Sequence, residues 1–241
     1  MGRYWDEIHY SQPSADSLRR NAAETVRKER EKGRALEPVH IQGREIAKNW
    51  WGKSWCENLE RYADYESRLE RGKRYVRTGA VVDLRLQKGR VSARVQGSRK
   101  TPYKVEIRIS PLSEEHCQEI IDCCSGRIEN LERLLQGDFP EELKSIFLEK
   151  NGLFPSAREI SFTCSCPDWA LMCKHVASVL YGIGARFDED PLLFFQLRGI
   201  EVGRLVDVSL ANRVESMLMN ADRVTERVIE GEEWENLFGI L

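Results

Sequence analysis

The sequence predicts an α+β fold that combines an antiparallel sheet with amphipathic helices. Between Tyr75 and Ile109 apolar residues alternate with polar ones, whereas the flanking segments repeat apolar residues at helical spacing. The chain has 241 residues, of which 41% are hydrophobic, so it is long enough to bury a core and is not predicted to be disordered. Three cysteines and a histidine also cluster near residue 170.

The alternation in residues 75–109 predicts a three-stranded antiparallel meander with one apolar and one polar face. Lys88-Gly89 forms the first turn and residues 97–102 form the second connection. The apolar positions of the three runs are Val82, Leu84, Leu86, Val91, Ala93, Val95, Val105, Ile107 and Ile109.

Two helical regions are expected before the meander. Arg19–Arg34 holds 10 charged residues among 16 and no apolar stripe, which fits either a solvated helix or a flexible arm, ended by Glu37-Pro38. A tryptophan cluster then leads into a helical stretch over 59–69. Such tryptophans are expected to anchor the core, while exposed ones would be stacking platforms. The cluster consists of Trp50, Trp51 and Trp55.

Further helices are predicted after the meander and in the C-terminal region. Asp138–Pro140 and Asp190-Pro191 are start signals, the second opening a Leu192–Leu197 helix. The helical stripes are expected to be buried by packing. They are Cys117, Ile120, Ile121 and Cys124; Ile128, Leu131, Leu134 and Leu135; Leu143, Ile146 and Phe147; Val214, Met217, Leu218 and Ala221; and Trp234, Leu237, Phe238 and Leu241.

The charge is uneven along the chain. The whole protein carries −2, but residues 61–109 carry +9. Such a block fits either a polyanion-binding surface or an ordinary solvated sheet face that is partnered by acidic helices. The candidate nucleic-acid contacts are Arg74, Arg94, Arg99, Lys100, Lys104 and Lys174.

Several classes of protein are not expected. No apolar run approaches the ~18–20 residues of a membrane helix, and the N-terminus lacks a secretory signal, so we expect no membrane partner and a cytoplasmic location. Gly52-Lys53-Ser54 resembles the end of a phosphate-binding loop, but Ala47 stands where that loop needs glycine and no strand precedes it. Nothing in the spacing links Cys56 to His40 as a nucleophile and base, so we expect no enzyme.

Residues 160–176 contain the strongest motif, Cys164-x-Cys166-x6-Cys173-x-His175. Alternate residues of a strand face the same side, so Cys164 and Cys166 project together, and the chain is expected to bend at Cys166-Pro167. Cys173 and His175 would then lie at the start of a helix over 176–182. Three thiolates and one imidazole complete a tetrahedral shell, which favours one structural Zn²⁺ with no open position for water.

This pattern resembles the SWIM zinc finger. A wider likeness to prokaryotic SWIM-finger proteins comprises Trp51–Trp55, Gly97–Arg99 with Pro102-Tyr103, and Asp190-Pro191-Leu192 through Leu197-Arg198-Gly199. The resemblance implies a β-β-α finger that binds DNA or proteins. It also implies that the four ligands bind zinc and that the partner is a Swi/Snf-class helicase-like ATPase.

The predicted organisation has four parts: a charged N-terminal segment over 1–49, an α+β domain with the basic sheet over 50–159, the finger over 160–185, and a helical C-terminal region over 186–241. We expect a zinc-binding accessory protein that binds nucleic acid, with DNA favoured. The alternative is a protein-interaction adaptor without direct nucleic-acid contact, for which the acidic C-terminal helices would provide docking faces.

Overall fold

The computed structural model describes residues 13–125, 144–148 and 152–221 of the chain. The strands there are β1 (Val81–Gln87), β2 (Arg90–Val95), β3 (Tyr103–Ile109) and β4 (Ile160–Cys164). The helices are α1 (Ala15–Glu31), α2 (Trp50–Glu60), α3 (Glu66–Arg77), α4 (Glu114–Ser125), α5 (Lys144–Leu148), α6 (Lys174–Glu189), α7 (Leu193–Arg198) and α8 (Val202–Ala221).

The sheet is antiparallel with the strand order β1-β2-β3-β4. Its first three strands confirm the predicted meander, and the apolar side chains of β2 and β3 face the core. β4 extends the same sheet by pairing with β3, so that Val105 lies opposite Cys164. The cysteine-bearing segment therefore begins as the fourth strand of the main sheet.

α6 is the central helix of the fold. It packs against α2, α3 and the apolar side of the sheet, and 12 of its 16 residues are buried, as expected for a central helix whose charged residues lie at its ends. Two glycines permit the close approach of its neighbours. A Cβ on Gly72 would lie 2.6 Å from Ala177 Cβ, and one on Gly52 would lie 2.8 Å from the Gly184 carbonyl oxygen.

The tryptophan cluster anchors α2 to α6. Trp51 and Trp55 are buried, and their indole Nε1 groups donate 3.0 Å hydrogen bonds to the carbonyls of Phe187 and Leu180. The single helical stretch predicted over 59–69 is wrong, because α2 ends at Glu60 and α3 begins at Glu66. The intervening turn frees the Asp64 carboxylate to bind backbone amides of residues 171 and 172.

The charged N-terminal stretch forms the solvated helix α1 and not the flexible arm. Leu18 and Ala22 are buried on one side of the helix. On the same helix, Glu29 forms an ion pair of 3.1 Å with Arg94 of β2. α1 is therefore fixed to the polar side of the meander by a carboxylate.

The C-terminal region confirms the helix predicted after Asp190-Pro191, which is α7. Its Arg198 is buried, donates to the Ser110 carbonyl over 2.7 Å and pairs with Glu159, directly before β4. The expected burial of the α8 stripe is wrong for Val214, Met217 and Leu218, since each is more than half exposed. Neither α8 nor any other helix in the described part of the chain is long and apolar enough to cross a membrane.

Some predicted helical positions lie outside the described residues or have side chains that are not described. This applies to the Asp138–Pro140 start signal as well. The positions are Cys124, Ile128, Leu131, Leu134, Leu135, Leu143, Ala221, Trp234, Leu237, Phe238 and Leu241. Cys117, Ile120, Ile121, Ile146 and Phe147 are buried as predicted.

The substitution Glu29→Gln tests the attachment of α1. Hydrogen bonds from Lys32 and Arg94 lower the pKa of Glu29 from 4.5 to about 2. A depressed carboxyl pKa contributes stability that is present above 4.5 and is lost as the pH falls toward 2. Urea unfolding is therefore expected to show a less stable variant at pH 7, with a difference from wild type that shrinks below pH 4.5.

Glu31→Gln is the control, because Glu31 pairs with Arg27 on the exposed side of α1. A Glu29→Gln protein whose unfolding free energy follows wild type at every pH would contradict the proposed attachment.

Candidate metal centre

The predicted ligands come together in the structure. One ligand atom from each of Cys164, Cys166, Cys173 and His175 lies within 4.8 Å of the other three. His175 Nδ1 is 3.9 Å from Cys164 Sγ and 4.0 Å from Cys173 Sγ. Bond lengths of ~2.3 Å for sulfur and ~2.0–2.1 Å for nitrogen around a tetrahedral ion require similar separations. The cluster can therefore hold a metal ion.

The sheet and the central helix position these ligands. Cys164 ends β4, and the chain then bends through Ser165–Pro167, where the sequence predicted a turn. The bend is held against β3, because Ser165 exchanges hydrogen bonds of 2.9 and 3.0 Å with the backbone of Lys104. Cys173 is the N-cap residue of α6, which begins at Lys174 and extends beyond the predicted 176–182. The positive end of the helix dipole therefore faces the thiolates.

Two tyrosine rings contact the His175 ring and hold it in place. Tyr103 stacks on it with centroids 4.1 Å apart, and Tyr75 contacts it edge-on at 5.4 Å. The stack needs a glycine alongside, since a Cβ on Gly97 would lie 2.7 Å from the Tyr103 ring. Burial lowers the pKa of His175, so its imidazole is neutral at pH 7 and has a lone pair for a metal ion.

The three cysteine thiols of the cluster strongly shift one another's pKa values. Hydrogen bonds with Cys166 and Cys173 raise the pKa of the Cys164 thiol, whereas contacts with Cys164 and Cys173 lower the pKa of Cys166. The cluster thus holds one thiolate readily, while further thiolates require a neighbouring positive charge. A bound metal ion would supply that charge, and the remaining thiols would then lose their protons.

The loop between Cys166 and Cys173 is fixed from outside the centre. Asp64 accepts hydrogen bonds from the amides of Leu171 and Met172 at 2.9 and 3.3 Å. Arg68 on α3 forms an ion pair of 3.1 Å with Asp168, and both side chains are largely buried. The α2–α3 turn therefore holds the loop in place, an arrangement that the sequence pattern did not reveal.

Three of the six candidate nucleic-acid contacts lie around the centre. Lys104 pairs through its backbone with Ser165, between two ligands, and Lys174 separates Cys173 from His175. The Arg99 guanidinium lies 5.4 Å from the centroid of the Tyr103 ring, which also stacks on His175. Within the described residues, none of these three cations pairs with a carboxylate.

The other three candidates have different surroundings. Arg94 forms ion pairs with Glu29 and Asp83 and is largely buried. Arg74 donates to the Pro13 carbonyl, which ties α3 to the start of α1. Lys100 is exposed in the connection before β3. Arg94 and Arg74 therefore stabilise the fold, whereas Lys100 remains an available contact on an exposed connection.

An open groove of about 630 Å³ crosses the polar face of the sheet and extends to the end of β4 at residues 163–165. Lys104 and Arg90 line it together with Glu106, which pairs with Arg90 over 2.6 Å. Much of the positive charge predicted for the sheet is thus neutralised by carboxylates. Among the described residues that line the groove, Lys104 is the cation without a carboxylate partner.

Two motifs outside the centre, Gly52-Lys53-Ser54 and Cys56, lie within α2. Gly52-Lys53-Ser54 lies inside α2, with Gly52 packed on α6 and Lys53 paired with Glu45. Burial raises the pKa of the Cys56 thiol to about 12, which opposes a role as a nucleophile at neutral pH.

Sequence comparison finds a relative of the chain in Mycobacterium tuberculosis (strain ATCC 25618 / H37Rv), named Uncharacterized protein Rv2102. The two are 35% identical over 183 residues, which are 75% of this chain and 66% of that protein. The chain thus spans slightly less than two thirds of that relative's length. No family model matches the chain. No solved structure matches it either.

Cys173→Ala tests the metal centre. Elemental analysis of the wild-type protein is expected to find about one metal ion per chain. The variant loses the ion, because one ligand is missing, and it loses local folding where β4 meets α6. Cys117→Ala is the matched control, since Cys117 is a buried free cysteine on α4. Full metal content in Cys173→Ala would exclude this centre.

Proposed function

We propose that the protein is a zinc-binding accessory protein whose metal centre organises a cationic surface for nucleic acid, with DNA as the favoured ligand. The observation that carries the proposal is the placement of Arg99, Lys104 and Lys174 around the centre without carboxylate partners among the described residues. Phosphate groups are the anions that nucleic acids offer to such cations.

Zinc is the metal that the donor set favours. Three thiolates and an imidazole are soft to borderline ligands, and together these four groups complete a tetrahedral shell. No ligand position is left for a reacting water, so the ion has a structural role. When bound, it would hold the end of β4 to the start of α6.

The resemblance to SWIM-finger proteins supports the same function. β4 pairs antiparallel with β3, which precedes α4 and α5 in the chain, and α6 follows the loop after β4. This arrangement supports a β-β-α finger whose first strand comes from the main sheet and lies outside residues 160–185. We infer that residues 160–185 are the SWIM finger and that the protein helps a Swi/Snf-class helicase-like ATPase to engage DNA.

A salt titration of DNA binding tests the nucleic-acid proposal. The logarithm of the affinity should fall with the logarithm of salt concentration by ~0.9 per neutralised phosphate for duplex DNA. Lys104→Gln is expected to weaken binding and to reduce this slope by about one phosphate equivalent. Fluorescence anisotropy of labelled DNA at several salt concentrations measures both quantities.

Arg44→Gln is the matched control for that titration. Arg44 is exposed and precedes Lys48, whose amide binds Asp188 near the far end of α6, about 20 Å along the helix from the centre. The control is expected to bind like wild type. Wild-type protein without affinity for DNA at low salt would refute the proposed function.

The exposed face of α8 favours a second function, a protein-interaction adaptor. Large apolar side chains are exposed along this helix, and exposed apolar helix surfaces dock into grooves on partner proteins. They are Leu210, Val214, Met217, Leu218 and Met219.

Leu218→Asp tests the adaptor function. The charge is expected to abolish co-purification of a stable partner, because it would have to be buried in the interface. Lys100→Glu is the control. Lys100 is exposed in the connection between β2 and β3 and is not part of α8, so this variant should leave the association intact. Equal recovery of the partner by both variants would exclude α8 as the docking face.

A further inference from the structure

Trp169 is an exposed aromatic residue on the loop that joins two metal ligands. Its side chain is 79% exposed, whereas Trp51 and Trp55 are buried. It contacts the ring of Tyr65 at a centroid distance of 5.7 Å and an interplanar angle of 88°. Leu171, two residues further along, is also exposed. The loop thus presents an aromatic surface to solvent.

The loop that carries Trp169 is held on both sides of the residue. Asp168 pairs with Arg68 and accepts a 3.3 Å hydrogen bond from the amide of Ala170. Asp64 holds the next two amides, and the loop ends at the metal ligand Cys173. A fixed backbone reduces the conformational entropy that a ligand must overcome when it orders the indole.

The charges around the loop favour an anionic ligand. The carboxylates of Asp64 and Asp168 accept hydrogen bonds from the loop itself and from Arg68. Lys174 follows the end of the loop, and Lys104 lies beside its beginning at Ser165. An exposed aromatic ring on a loop with a cation near each end fits a strand that carries both bases and phosphates better than an apolar peptide.

We propose that Trp169 is a stacking platform for an unpaired base of a single-stranded nucleic acid. The proposal rests on the proposed function, and it specifies the ligand as single-stranded. In a duplex both faces of each base are covered by neighbouring base pairs, whereas an unpaired base can stack on an indole. The cations beside the loop bind the phosphates that flank this base.

Trp169→Ala, Trp169→Phe and Leu171→Ala are compared for binding to a short oligothymidine and to a blunt duplex of equal length. Trp169→Ala is expected to weaken oligothymidine binding by about fivefold to a hundredfold and to leave duplex binding unchanged. Trp169→Phe retains most of the affinity because a phenyl ring also stacks. It loses the quenching of tryptophan emission that oligothymidine causes in wild type.

Leu171→Ala is the control for a general apolar surface. Leu171 is exposed on the same loop but has no aromatic ring, so its removal should leave both affinities unchanged. Metal content and the unfolding midpoint of each variant are expected to equal those of wild type, since both side chains project into solvent.

The outcomes separate this inference from the function on which it rests. Wild-type protein that binds neither DNA would refute the proposed function. Duplex binding by wild type together with an unchanged oligothymidine affinity in Trp169→Ala would overturn the stacking platform alone. An equal loss of both affinities in Trp169→Ala and Leu171→Ala would also overturn it, and would indicate a general apolar contact surface.

Discussion

The junction between the end of β4 and the start of α6 is the constraint on which the rest of the structure depends. Four candidate ligand atoms meet there. Cys164 and Cys166 come from the end of β4 and the bend after it, and Cys173 and His175 come from the N-terminus of α6. α6 is buried, and α2, α3 and the sheet pack around it. Any displacement of its first turn would therefore be transmitted to α2, α3 and the sheet, since close-packed interiors do not absorb such shifts locally.

Much of the fold could be predicted from periodicity, and the exceptions have physical causes. The alternation of β1–β3 is local and strong, so the meander was predictable. β4 also alternates, but its pairing with β3 joins residues that are far apart in sequence, and no local pattern encodes that pairing. The break between α2 and α3 was missed because apolar residues continue through Tyr62 and Ala63, while Asp64 is required by a distant loop. α8 has the stripe of a buried helix, yet the stripe is exposed.

The candidate site divides in the same way. Spacing predicted the four side chains that the structure brings together, because a thiolate and imidazole cluster needs particular residue types at short intervals. The stacking of Tyr103 on His175 depends on sheet position, which spacing does not report. Charge density in the sequence likewise could not separate Arg94, which is neutralised by Glu29 and Asp83, from Lys104, which is exposed. The sequence alone does not distinguish Trp169 from the buried tryptophans, because its exposure depends on the fold of the loop around it.

The attachment of Asp64 to the amides of residues 171 and 172 links two segments that are distant in sequence. In a homologue, an insertion between the positions of Cys166 and Cys173 would move these amides away from the carboxylate. The turn after α2 would then have to change length in parallel, or the aspartate would lose its partners. Length variation in the two segments should therefore be correlated during evolution, and an aligned set of homologues would record it as paired insertions and deletions.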